Sequence, residues 1–115
     1  MFIIQKETNC EVLKNLGCSE NELVMVAREN DEITGHSKAT LSDKLYLNDI
    51  VADDAFFFDS LFRATLNYAL NHGVISAVIS PSLMPKFNGM PTVPEQAEIE
   101  DCEKFFKTHK LCNRG

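Results

Sequence analysis

The sequence predicts one α/β domain built on a mixed, mostly antiparallel sheet with flanking helices. Three observations carry this expectation. Residues 23–28, 33–41 and 45–51 are consecutive apolar, β-branched segments joined by turns short enough for hairpins. A stretch of helical period follows between Asp59 and Gly73. Residues 74–79 are then short and nearly all apolar, as in a strand covered on both faces, and strand–helix–strand order implies a right-handed parallel crossover. With 115 residues there is room for one domain, residues 1–115, and one core.

Taken in order, residues 1–5 are apolar and β-branched, which predicts a first strand. Thr8 and Asn9 can cap a short helix in which Cys10, Leu13 and Leu16 share a face and Gly17 stops the run. Asn30 and Asp31 tolerate turn dihedrals between the second and third strands, and Ser42-Asp43 turns the chain again, so three strands form a meander. Residues 52–59 place three phenylalanines between acidic residues and are expected to form a loop. Asp59 would cap the next helix, whose buried face is Leu61, Phe62, Thr65, Leu66, Ala69 and Leu70. All four prolines fall within residues 81–94, predicting an ordered loop or extended segment. Residues 101–109 have helical character with an acidic start, Phe105 and Phe106 facing the core, and residues 111–115 are expected to fray.

Composition narrows the function classes. Eleven Lys and Arg against seventeen Asp and Glu give a net charge of −6, which repels phosphate backbones, so no nucleic-acid partner is expected. No apolar run reaches the roughly 18 residues of a membrane span, and the apolar start is too short for a signal-peptide core, so the expectation is a cytoplasmic protein without a membrane partner. In that compartment Cys10, Cys18, Cys102 and Cys112 are expected as thiols. Their spacing matches no zinc pattern, and His36, His72 and His109 are scattered, so no metal site is expected.

The order strand, helix, three-strand meander, loop opening a helix closed by Gly, and further strand resembles the GNAT superfamily of acyl-CoA N-acyltransferases over roughly residues 1–80. Two stretches carry the resemblance. Residues 24–35, from Val24 to Gly35, are similar to the family's second and third strands. Residues 59–73 resemble the coenzyme-side helix of small GNAT-like proteins, with Asp59, the Arg63-Ala64 pair, the Asn67-Tyr68 pair and closing Gly73. The resemblance implies that fold, truncated or altered after the fifth strand, and transfer of an acetyl group from acetyl-CoA to an amine acceptor by direct attack in a ternary complex. It implies coenzyme contacts from the backbone of Ile50 and Val51 and from the amides of Phe58, Asp59, Ser60 and Leu61. A helix N-terminus suits the coenzyme's diphosphate because exposed amides and the helix dipole favour an anion. Arg63, one turn into the helix, would add positive charge.

Amine acetylation needs a base for the amine proton and an acid for the leaving thiolate. The fourth-strand candidates are Asp49 and Tyr46, with Asn48 between them; Asp49 is otherwise a solvated or hydrogen-bonded strand carboxylate. The loop before the helix lacks the family's Arg and glycines, with Phe56 and Phe58 at glycine positions. That departure motivates the alternative, a non-catalytic GNAT-like scaffold serving as a binding or dimerisation module. Asp53 and Asp54 would either meet a cationic acceptor or cap a turn. The phenylalanines would line an acyl slot, fill the core or meet a second chain, and an exposed apolar loop could pair two copies into a homodimer about a two-fold axis.

Overall fold

The computed structural model describes residues 2–19 and 21–108. Cys112, His109 and the tail at residues 111–115 lie outside them. Six strands form one sheet in chain order: β1 (Phe2–Lys6), β2 (Leu23–Glu29), β3 (Glu32–Leu41), β4 (Leu45–Ala52), β5 (Ala77–Ile79) and β6 (Glu98–Ile99). All pairs are antiparallel except β4–β5, which is parallel as the crossover requires. The helices are α1 (Cys10–Asn15), α2 (Ala55–Asn71) and α3 (Cys102–Thr108), with a 3₁₀ turn at Met84–Phe87.

The meander forms where the residues predict it. Asn30 and Asp31 both take positive φ, 53° and 72°, the primed turn geometry that matches the twist of two paired strands. In α1 the Asn9 carboxamide oxygen accepts from the N–H groups of Glu11 and Val12, at 2.9 and 3.3 Å, and Gly17 leaves the helix at φ 74°. Leu13 of α1 covers Val24 and Val26 on one sheet face. The other face holds the main core, where Leu23, Met25, Ala39, Leu47 and Ile50 meet Leu61, Phe62, Leu66 and Ala69 of α2. Gly35 lets α2 come close: a Cβ there would stand 2.9 Å from Leu61 Cδ1 and 2.8 Å from the Val51 carbonyl.

Two boundaries differ from expectation. The helix opens at Asp54, not Asp59: Asp54 is extended, its carboxylate accepts from the Phe57 N–H at 3.0 Å, and its carbonyl accepts from the Phe58 N–H at 3.0 Å. Burial drives this, because a helix through 55–59 sinks Phe57 and Phe58 into the core, where an irregular loop would leave backbone groups unpaired. The strand expected at 74–79 is ordered as strand only over Ala77–Ile79, since the Val74 N–H turns back to the Ala69 carbonyl at 2.9 Å to close α2. Asp101 opens α3, its carboxylate accepting from the Lys104 N–H at 3.1 Å, and Phe105 and Phe106 pack half-buried against the core.

Candidate functional site

The candidate cleft is the gap where β4 and β5 part. Hydrogen bonds from Leu45 N–H to the Ser76 carbonyl and from Ser80 N–H to the Leu47 carbonyl, both 2.9 Å, bound the paired stretch. Beyond Leu47 no strand flanks β4 on that side, because β5 stops at Ile79 and the chain turns at Pro81. The β3–β4 register shifts between Lys38 and Ala39, leaving Asn48 as an extra residue. Such a bulge reverses which residues aim their backbone groups sideways, so that role passes from Leu45 and Leu47 to Ile50.

Ile50 is therefore the residue whose backbone faces the cleft, and two side chains answer it. Its N–H donates to Asp49 Oδ1 at 2.9 Å, and its carbonyl accepts from Lys86 Nζ at 3.2 Å. Lys86 Nζ also donates to Asp49 Oδ1 at 2.9 Å. The pair is exposed, 46% for Lys86 and 36% for Asp49, so water competes for each contact and the ion pair adds little stability. Beneath it Phe87 is buried, edge-on to Phe58 and Phe62 at centroid distances of 5.1 and 4.8 Å. The turn after β5 thus fills the cleft floor with a ring and latches its mouth with an ammonium.

The expected site residues divide accordingly. Asp49 and Ile50 meet at the cleft. Val51 pairs with His36 across β3 and exposes its side chain. Tyr46 lies at the other end of β4, its hydroxyl 3.4 Å from Asp43 Oδ1 at the β3–β4 turn. The amides of Phe58, Asp59, Ser60 and Leu61 do not open the helix: Phe58 bonds to Asp54, and the next three lie inside α2, where each N–H faces the carbonyl four residues back. Asp59 and Arg63 pair with each other within α2. Asp59 is buried, with Oδ2 accepting from Arg63 Nε at 3.0 Å; Arg63 also bonds to the buried Thr92 hydroxyl and stands 5.8 Å over the Phe106 ring. This ion pair ties α2 to the proline-rich segment and α3. Asp59 Oδ1 is buried with no hydrogen-bond partner among the described residues.

The start of α2 is closed differently. The Asp54 carboxylate already satisfies one N–H there, and Phe56 and Phe57 stack with Phe2 at 5.2 and 5.1 Å beside it. Sequence reasoning did not select Lys86, whose only signal was a lone cation in a proline-rich stretch, or His36. His36 sits half-buried between Val26 and Val51. Burial and then Lys38 push its pKa down, Asp49 opposes this and Lys86 adds to it, so the ring stays neutral at pH 7. Among the described residues no group of three or more metal-ligating side chains converges, and no helix is long and apolar enough to cross a membrane.

The six-stranded, mostly antiparallel sheet with one parallel pair and flanking helices matches solved acetyltransferases of the GNAT family, and the chain has that fold. The solved structures it matches include the ribosomal-protein-S18-alanine N-acetyltransferase of Escherichia coli, at TM-score 0.55 and 13% identity over 69% of this chain and 66% of that one. A Bacillus subtilis acetyltransferase in complex with CoA matches at TM-score 0.56 and 15% identity, over 76% and 72%. An aminoglycoside acetyltransferase from an uncultured soil metagenomic sample matches at 0.57 and 14%, over 99% and 90%. The chain thus spans just under two thirds of the length of the Escherichia coli enzyme. No protein-family model matches the sequence, and neither does any curated protein.

Proposed function

We propose that this protein is an acetyltransferase that takes acetyl-CoA and an amine, with the coenzyme's pantetheine arm laid along the Ile50 edge of β4. The observation that carries the reading is that, among the described residues, this edge has no strand partner beyond Leu47 and the exposed Asp49–Lys86 pair lies on it. An amide of the arm would replace Asp49 and Lys86 as the partners of the Ile50 N–H and carbonyl. The fit is partial. The β4 edge suits the arm once Lys86 swings away, whereas the capped, acidic start of α2 does not suit a diphosphate. When bound, acetyl-CoA supplies an activated acyl group. Asp49, released from Lys86, would accept the amine proton, and neutral His36 beside it would keep the local charge low.

The alternative rests on two contacts: Phe87 packs into the core against Phe58 and Phe62, and Asp54 caps the helix N-terminus. On this reading the chain is a GNAT-fold binding module with a filled cleft. Calorimetric titration with acetyl-CoA separates the two, using the wild-type protein and Lys86→Met. The transferase reading expects micromolar binding, tighter in the variant. Absence of heat at millimolar ligand in both proteins rejects it and leaves the module.

A further inference from the structure

One end of the molecule combines unguarded apolar surface with acid. Phe2 and Phe56 are 36% and 59% exposed, and their rings stack with each other and with Phe57 at 5.1 to 5.4 Å. Phe2 is opposite Glu29 across β1–β2, and Glu29 is opposite Glu32 across β2–β3, so ring and carboxylates form one row on the face that α2 covers. Two like charges directly opposite in a sheet repel. Asp53 joins the same end, because its N–H donates to the Thr34 carbonyl at 3.0 Å, and Asp54 follows at the corner of α2. Residues 29–35 and 50–62 contain no Lys, Arg or His. Arg28 is turned to the opposite face and bonds to Glu7 at 2.8 Å.

Among the described residues, the neighbouring edge of the sheet has no further strand. β1 is terminal in the strand order, and its outer side carries five residues' worth of main chain without a proline or a bulge. The other edge, β6, is two residues long, and its Glu98 bonds to Lys44. An open edge takes an extended segment by adding a strand, and aromatic faces beside carboxylates attract an ammonium or guanidinium. A second copy of this chain is a poor occupant: each copy carries −6, and Lys6, the one cation among the described residues of β1, already sits 5.7 Å over its own Tyr68 ring.

We propose that this end docks an extended, lysine- or arginine-rich segment of a partner protein, added along β1 with its cations over Phe2 and Phe56 and against Glu29, Glu32, Asp53 and Asp54. The surface is separate from the β4–β5 cleft and stands whichever reading of that cleft holds. The test uses a fluorescein-labelled peptide of alternating lysine and valine, with its glutamate–valine counterpart, in anisotropy titrations against the whole protein. The lysine peptide should bind and the glutamate peptide should not, and affinity should fall as ionic strength rises from about 0.05 to about 0.5 M. The double variant Glu29→Gln, Glu32→Gln should weaken binding by about fivefold. Phe56→Ala, an exposed change that leaves net charge untouched, should weaken it by about threefold. Circular dichroism checks that both variants stay folded. Equal binding of the two peptides, or unchanged affinity in both variants, overturns the proposal. So does light scattering that shows a homodimer whose formation the lysine peptide cannot reverse.

Discussion

Replacing Phe87 by alanine removes the ring that closes the floor of the cleft, and its cost measures how firmly that cleft is shut. Phe87 is 1% exposed, so withdrawing its side chain from the core forfeits about 2–3 kcal/mol of apolar burial. Its edge-on contacts with Phe58 and Phe62, at 5.1 and 4.8 Å, add about 0.5–1.5 kcal/mol each. These contributions overlap, and the loss expected for a buried phenylalanine is about 3–5 kcal/mol. A domain has only about 5–15 kcal/mol in all, so the variant should shift the urea midpoint far down with the slope unchanged. The control is Phe56→Ala: that ring is 59% exposed, and the change should cost under about 1 kcal/mol. A loss below about 1 kcal/mol for Phe87→Ala would refute the reasoning, because the segment would then leave the core without penalty and the cleft would already be open in solution.

Three further outcomes follow from named contacts. Gly35→Ala should lower stability by about 1–3 kcal/mol in the same urea assay, since its Cβ would meet the Val51 carbonyl at 2.8 Å and Ala52 Cα at 3.0 Å, backbone atoms that cannot step aside. Asp54→Ala should cost about 1 kcal/mol through loss of the helix cap, and Asp54→Asn, which keeps an acceptor oxygen, should stay near wild type in thermal melts. Burial, with Asp101 adding to it, pushes the Cys102 thiol up to about 11. The thiolate is the reactive form, so native Cys102 should resist iodoacetamide at pH 8 and react once the protein is unfolded in urea, as followed by peptide mass; rapid native labelling would contradict its burial.

Much of the fold was legible because hydrophobic period and turn chemistry agree from Phe2 to Leu41. The Asn30-Asp31 turn, the Asn9 cap and the apolar face of α2 were all readable. The start of α2 was not, since three adjacent phenylalanines have no helical period of their own; only the packed sheet shows that Phe57 and Phe58 point inward while Phe56 points out. β6 escaped because two residues carry no pattern. At the site, Asp49 and Ile50 were legible as neighbours on one strand. Their partnership with Lys86, 36 residues further on from Ile50, depends on the 3₁₀ turn docking beside the β4 bulge, and neither feature has a local signature. Tyr46 and Arg63 look adjacent to the chemistry along the chain, yet one points to a turn and the other to Thr92.

Strand order that copies chain order has a kinetic meaning. Each hairpin from β1 to β4 joins neighbours in sequence, apart from the α1 excursion, so the meander closes small loops and should assemble early. The parallel β4–β5 contact must wait for α2 to be laid down between its strands, and residues 77–108 then seal what has formed. Native-state hydrogen exchange should therefore find the slowest amides in β2 and β3, and a cooperative opening of lower energy that takes β5, β6 and α3 together. On a ribosome, the first four strands and α2 would emerge with Phe58 and Phe62 not yet covered by Phe87 and Phe105, and the final third of the chain would arrive as its own chaperone.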